Sequence, residues 1–145
     1  PCDYHRFHFP CGGRIARTGE SRGTYYPVHP HFFEQGVDIL PRNRRCHTIM
    51  DSHYIDRLAV IEVGAFGVGS IVQTYTGDSA VKMREKGYFQ FGGSTIVLLF
   101  GPGHMEFARD LLQHSAAGYE TLLKAGASLG RVPPASNTDQ DQERP

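Results

Sequence analysis

The chain has 145 residues, and its 15 lysines and arginines are matched by 15 aspartates and glutamates, for a formal net charge of +0. That length accommodates one modest domain, and the even balance argues against the basic face that nucleic-acid phosphates require. Three cysteines, Cys2, Cys11 and Cys46, form no Cys-x-x-Cys pair, so reduced thiols are expected rather than a disulfide scaffold or a zinc site.

The chain opens without an initiator Met, at Pro1-Cys2-Asp3 in a strand-like segment, as a piece of a longer polypeptide would. Next, Gly23-Thr24-Tyr25-Tyr26-Pro27-Val28 is rich in strand formers and ends in a proline-containing loop. Leu58-Ala59-Val60-Ile61-Glu62-Val63 reads as a largely buried strand, and the pattern resumes over 68–75 after Gly64-Ala65-Phe66-Gly67. Gly77-Asp78 supplies a turn. Tyr88-Phe89-Gln90-Phe91 and residues 95–100 read as two strands joined across Gly92-Gly93-Ser94-Thr95.

Helical spacing appears over 105–114, with Phe107, Leu111 and Leu112 on one face. Over 120–129, Gly126 and Gly130 favour a short strand and turn. From Arg131 onward the chain is polar and lacks apolar anchors, which predicts a disordered tail over 131–145. The expected fold is mainly β, a sandwich or barrel-like domain over 1–130 with one short helix near the C-terminus. The longest apolar stretch, 58–72, is interrupted by Glu62 and three glycines and falls short of the ~20 residues that span a bilayer. No signal peptide is read at the start. Membrane contact is therefore expected to be peripheral or to lie in sequence outside this chain.

Gly92-Gly93-Ser94-Thr95 is, by itself, an ordinary connection between strands. Two glycines nevertheless give the backbone conformations closed to other residues, and a hydroxyl residue follows them directly. That is the arrangement in which a serine can be held against the carbonyl before it. The surrounding sequence sharpens the reading. Gly87-Tyr88-Phe89-Gln90-Phe91-Gly92-Gly93-Ser94-Thr95-Ile96-Val97-Leu98-Leu99-Phe100 resembles the processing segment of phosphatidylserine decarboxylases. Tyr4-His5-Arg6-Phe7-His8 matches that family's Tyr-His-Arg-x-His element. Gly23-Thr24-Tyr25-Tyr26-Pro27-Val28-His29-Pro30 fits its Val-Asn-Pro loop, with His29 in place of Asn. Val63-Gly64-Ala65-Phe66-Gly67-Val68-Gly69-Ser70-Ile71 fits its Val-Gly-Ala-x-x-Val-Gly-Ser-Ile strand pair. The four blocks occur in order over about residues 3–100.

The resemblance implies that the chain makes its own pyruvoyl cofactor. A base takes the Ser94 proton, Oγ attacks the Gly93 carbonyl, and the resulting ester eliminates to dehydroalanine, which hydrolyses to a pyruvoyl group and ammonia. The products are a β piece, 1–93, and an α piece, 94–145. The new ketone then serves as an electron sink for loss of carbon dioxide from an amino-acid substrate. Phosphatidylserine is the substrate the resemblance favours; a small free amino acid is the alternative, and an inactive binding or structural module is the reading from a different class. Implied partners are the membrane surface, reached through sequence N-terminal to this chain, the two pieces themselves, and a further copy in a homo-oligomer. The implied location is membrane-associated, or cytoplasmic if the substrate is soluble.

A serine hydroxyl needs a base, and histidine exchanges protons near neutral pH. His5 matches the family's base, and His8 is the second candidate, for contact with the substrate carboxylate or for protonating the decarboxylated carbon. Residues three apart in a regular strand point to opposite faces, so both serve one site only if the segment bends, for instance at Phe9-Pro10. Thr95 is a candidate to orient Ser94 or to donate to the developing oxyanion. The remaining histidines share no metal-ligand spacing with acidic or cysteine partners, and no metal is expected. Arg42, Arg44 and Arg45 read as a solvated loop. Two departures from the family stand out: the aspartate that orients the histidine lies upstream of the Tyr-His-Arg element, and Lys86 stands where Leu is common before Gly87.

Overall fold

The structure is a computed structural model that describes residues 4–28, 31, 35–66, 70–90 and 94–134. The chain divides into two compact units, Pro1–Gly101 and Pro102–Pro145. The first is built chiefly from strands and the second holds one helix and two short strands among its described residues; taken over the chain, the mainly-β expectation holds.

In the first unit, five strands form one antiparallel sheet. These are β2 (Gly13–Ser21), β3 (Arg45–Ser52), β4 (Asp56–Gly64), β6 (Ser79–Ala80) and β8 (Ser94–Phe100), in the order β6-β2-β3-β4-β8. β1 (Arg6–His8), β5 (Ser70–Gln73) and β7 (Glu85–Gln90) form a second sheet, in the order β1-β7-β5. A single turn of helix, α1 (Ile39–Arg42), precedes β3 and buries Ile39.

The apolar alternation of β4 explains its central place. Leu58 and Val60 point inward, and Glu62 continues the same row two residues on, fully buried. On β3 the inward row is Thr48, Met50 and Ser52. Phe9, Cys11, Ile15, Met50, Ile55, Leu58, Val60 and Ala80 make the larger apolar cluster, and Phe7, Ile71 and Phe89 make a second. Cross-strand charge reinforces the outer face: Asp51 accepts from Arg14 at 2.8 Å and from Arg57 at 2.9 Å, its partners in register on β2 and β4.

Several sequence expectations shift. Residues 23–28 form no strand, only an isolated bridge from Thr24 to Asn43. The two strands expected on either side of residues 92–95 are present as β7 and β8, and they belong to different sheets, so the chain leaves one sheet at Gln90 and enters the other at Ser94. Residues 91–93, including Gly92 and Gly93, lie outside the described residues, as does His29.

In the second unit, β9 (Glu106–Phe107) pairs with β10 (Gly130–Arg131), supported by an ion pair from Arg131 to Glu106 at 2.6 Å. Sheet pairing thus takes Phe107 out of the expected helix, and α2 runs over Arg109–Ala116. It ends because Gly118 adopts φ +79°, which lets Tyr119 N–H reach the His114 carbonyl and Gly118 N–H reach that of Ser115. Arg131, expected in the tail, is a strand residue; residues 135–145 lie outside the described residues.

Candidate processing and active site

Ser94 is the first residue of β8 and lies opposite Gly64, the last residue of β4. It is half-buried. Thr95 follows opposite Val63, and strand alternation directs its side chain to the other face from that of Ser94.

The partner of Ser94 is held from behind. Asn43 is fully buried, and its Nδ2 donates to the Gly64 carbonyl and to the Tyr26 carbonyl, each at 2.8 Å. Its Oδ1 accepts from Tyr26 N–H at 2.9 Å and from the Thr24 hydroxyl at 3.3 Å. Backbone bonds run alongside: Thr24 N–H to Arg42 O, Arg44 N–H to Thr24 O, and Gly64 N–H to Arg44 O, all at 2.9 Å. One amide side chain therefore joins the Tyr25-Tyr26-Pro27 segment to the strand end facing Ser94. Nothing in the sequence singled out Asn43; an asparagine between a helical turn and a strand looks like a loop residue.

His5 immediately precedes β1. Its carbonyl accepts from Phe89 N–H at 2.9 Å, near the end of β7. Ser94 follows Gln90 by four residues, a run that spans at most about 14 Å of extended chain. His5 Nε2 is buried and has no hydrogen-bond partner among the described residues. A buried nitrogen left unpaired is costly, which sets this ring apart from those of His8, His31 and His114, each of which has a side-chain partner. Among the described residues no hydrogen bond joins His5 to Ser94.

His8 goes elsewhere. Tyr4, Arg6 and His8 share the outer face of the segment, while His5, Phe7 and Phe9 share the inner one. His8 stacks on Tyr4, with centroids 5.8 Å apart, and Tyr4 Oη lies 3.2 Å from His8 Nε2. The irregularity in this strand falls between Phe7 and His8, earlier than Phe9-Pro10, and it does not reunite the two histidines.

Two charged residues that the sequence flagged only as oddities complete the region. Lys86 on β7 and Glu62 on β4 are both wholly buried and form an ion pair at 2.8 Å. Gln73 on β5 accepts from Lys86 at 2.9 Å and donates to the other Glu62 oxygen at 3.0 Å. Burial pushes the Glu62 carboxyl up against the lowering influence of Lys86, and burial likewise pushes the Lys86 ammonium down against that of Glu62. The detectable signal was parity: Glu62 follows Leu58 and Val60 on the inward row of its strand.

A model of the phosphatidylserine decarboxylase family matches residues 1–131. The chain belongs to the phosphatidylserine decarboxylase family. It is 44% identical over 132 residues to the phosphatidylserine decarboxylase proenzyme of Chlamydia muridarum, covering 90% of this chain and 44% of that protein. Identity is 42% over 132 residues to the proenzymes of Chlamydia pneumoniae and of Clostridium tetani, with the same coverage. The chain thus spans under half the length of these phosphatidylserine decarboxylase relatives. No solved structure matches it.

Proposed function

We propose that this chain carries the self-processing centre of a pyruvoyl-dependent decarboxylase, with Ser94 as the precursor of the pyruvoyl group and phosphatidylserine as the substrate. The observation that supports the reading is the buried, unpartnered Nε2 of His5, whose carbonyl is tied to the end of β7, the strand that precedes the half-buried Ser94 of β8 in the chain. A ring nitrogen with no other hydrogen-bond partner among the described residues is free to take a proton from a hydroxyl brought within reach. This reading assigns the base to His5 rather than to His8, whose ring is engaged by Tyr4.

His5 accepts the Ser94 hydroxyl proton, and Oγ forms a bond to the Gly93 carbonyl carbon while the Gly93–Ser94 C–N bond breaks. The freed nitrogen takes up a proton. Loss of the Ser94 Cα proton expels the Gly93 carboxylate, and water then displaces ammonia from the α carbon. Gly64, fixed by Asn43, holds the strand end opposite Ser94. The pyruvoyl group, once formed, supplies an electron sink for carbon dioxide loss. A phosphatidylserine substrate implies work at a membrane surface, in the full-length protein.

Full-length protein carrying Ser94→Ala is expected to remain a single chain and to release no carbon dioxide from phosphatidylserine vesicles. Normal decarboxylation by that variant would overturn the pyruvoyl mechanism. If the parent releases carbon dioxide from a free amino acid and none from the lipid, the substrate assignment fails while the processing assignment stands.

A further inference from the structure

The Lys86–Glu62–Gln73 network bridges the two sheets of the first unit. Glu62 comes from β4 in the five-stranded sheet, while Lys86 and Gln73 come from β7 and β5 in the three-stranded sheet. Lys86 Nζ also lies 5.6 Å from the Phe7 ring centroid and 5.3 Å from that of Tyr75. Phe7 belongs to the smaller apolar cluster and Tyr75 packs against the larger one, so the network is a polar seam between them.

A buried ion pair is a weak source of stability, because desolvation offsets most of the attraction; well-packed apolar groups of similar size often do as well or better. Its distinguishing property is direction. Three hydrogen bonds of 2.8–3.0 Å accept one relative placement of the sheets, whereas apolar contacts tolerate sliding. What lies on either side of the seam is the candidate site. Glu62 is two residues before Gly64, the partner of Ser94. Lys86 is three residues before Phe89, whose N–H holds the His5 carbonyl.

We propose that the Lys86–Glu62–Gln73 network is a positioning device that fixes the His5-bearing sheet against the Ser94-bearing strand, and that self-cleavage depends on it. This rests on the reading in which Ser94 is processed. Among the described residues no hydrogen bond joins any of the three to Ser94; they act through the placement of His5.

The test compares full-length parent with the double variant Glu62→Leu, Lys86→Leu, which removes both charges and leaves neither stranded. Three quantities are read: the thermal midpoint, the rate of cleavage by intact mass, and amide hydrogen exchange at Phe89 relative to Val60. Displacement of reacting groups by about 1 Å costs on the order of a hundredfold, so cleavage is expected to slow by about ten- to a hundredfold. The midpoint is expected to hold or rise. Exchange at Phe89 is expected to speed up by about tenfold, with Val60 unchanged, as its local bond loosens. Parent-like cleavage together with parent-like Phe89 exchange in a folded double variant would overturn the proposal. If the double variant does not fold, Gln73→Met, which removes two of the hydrogen bonds and keeps the ion pair, is expected to slow cleavage with the midpoint nearly retained, and unchanged cleavage there overturns it. A parent that never cleaves overturns the processing reading and the dependence of cleavage with it; Phe89 exchange then still decides whether the network fixes the sheet.

Discussion

Replacing Asn43 with alanine tests the idea that one buried amide anchors the strand end facing Ser94. The side chain makes four hydrogen bonds, of which the one to the Gly64 carbonyl is fully buried. Water cannot reach that carbonyl in place of the amide, and an unsatisfied buried acceptor costs about 1–3 kcal/mol. The bonds to Tyr26 and Thr24 are only partly shielded, so water replaces them at a further cost of about 1–2 kcal/mol in all. The expected loss is therefore about 2–5 kcal/mol, a fall in thermal midpoint on the order of 10 °C. Urea denaturation of full-length parent and variant measures it. Asn43→Asp sharpens the test, because it keeps the acceptor and removes both donors. A buried carboxylate beside two carbonyl oxygens has its pKa raised in the folded state, so stability is lost as pH rises through that value. The Asp variant should therefore be at least as weak as the Ala variant at pH 7 and recover part of the loss near pH 4. An Ala variant within about 0.5 kcal/mol of the parent, below the usual cost of one lost bond, would refute the anchoring role.

Lys86→Leu alone strands the Glu62 carboxylate and is expected to cost about 3–5 kcal/mol at neutral pH. Glu62 is already raised by burial, and losing Lys86 removes the influence that lowers it. A folded value above the unfolded one gives stability that is present below the unfolded pKa and lost as pH rises through the folded one. The variant's thermal midpoint should accordingly be higher at pH 5 than at pH 8, and a flat or opposite trend would contradict a buried, uncompensated carboxyl. Gly87→Ala places a methyl group against the Val72 carbonyl oxygen and the Phe7 ring, both packed on β7, and should cost about 1–3 kcal/mol by denaturation. Gly77→Ala, at φ +75° in open space, should cost only about 1 kcal/mol.

The strands legible in the sequence are those whose own apolar pattern demands burial. β4, β7 and β8 carry Leu58, Val60, Phe89 and the run 96–100, and they form near the expected places. β2 was invisible because Gly13–Ser21 buries only Ile15; its strand exists through pairing with β3 and β6, a non-local cause. The displacement of α2 has the same origin, since Glu106 and Phe107 find partners more than 20 residues away in β10. The site divides in the same manner. Ser94 and His5 are legible because each sits in a short motif with its own chemistry. Asn43, Glu62 and Lys86 acquire meaning only from partners 11–24 residues distant, and His8 loses its expected company because its strand face opposes that of His5.

The intact mass of the full-length protein tests the central claim most directly. Two pieces divided between Gly93 and Ser94 are predicted, the later one lighter by one ammonia than a fragment beginning with serine. A single unmodified chain, or a later piece that begins with intact serine, would contradict it.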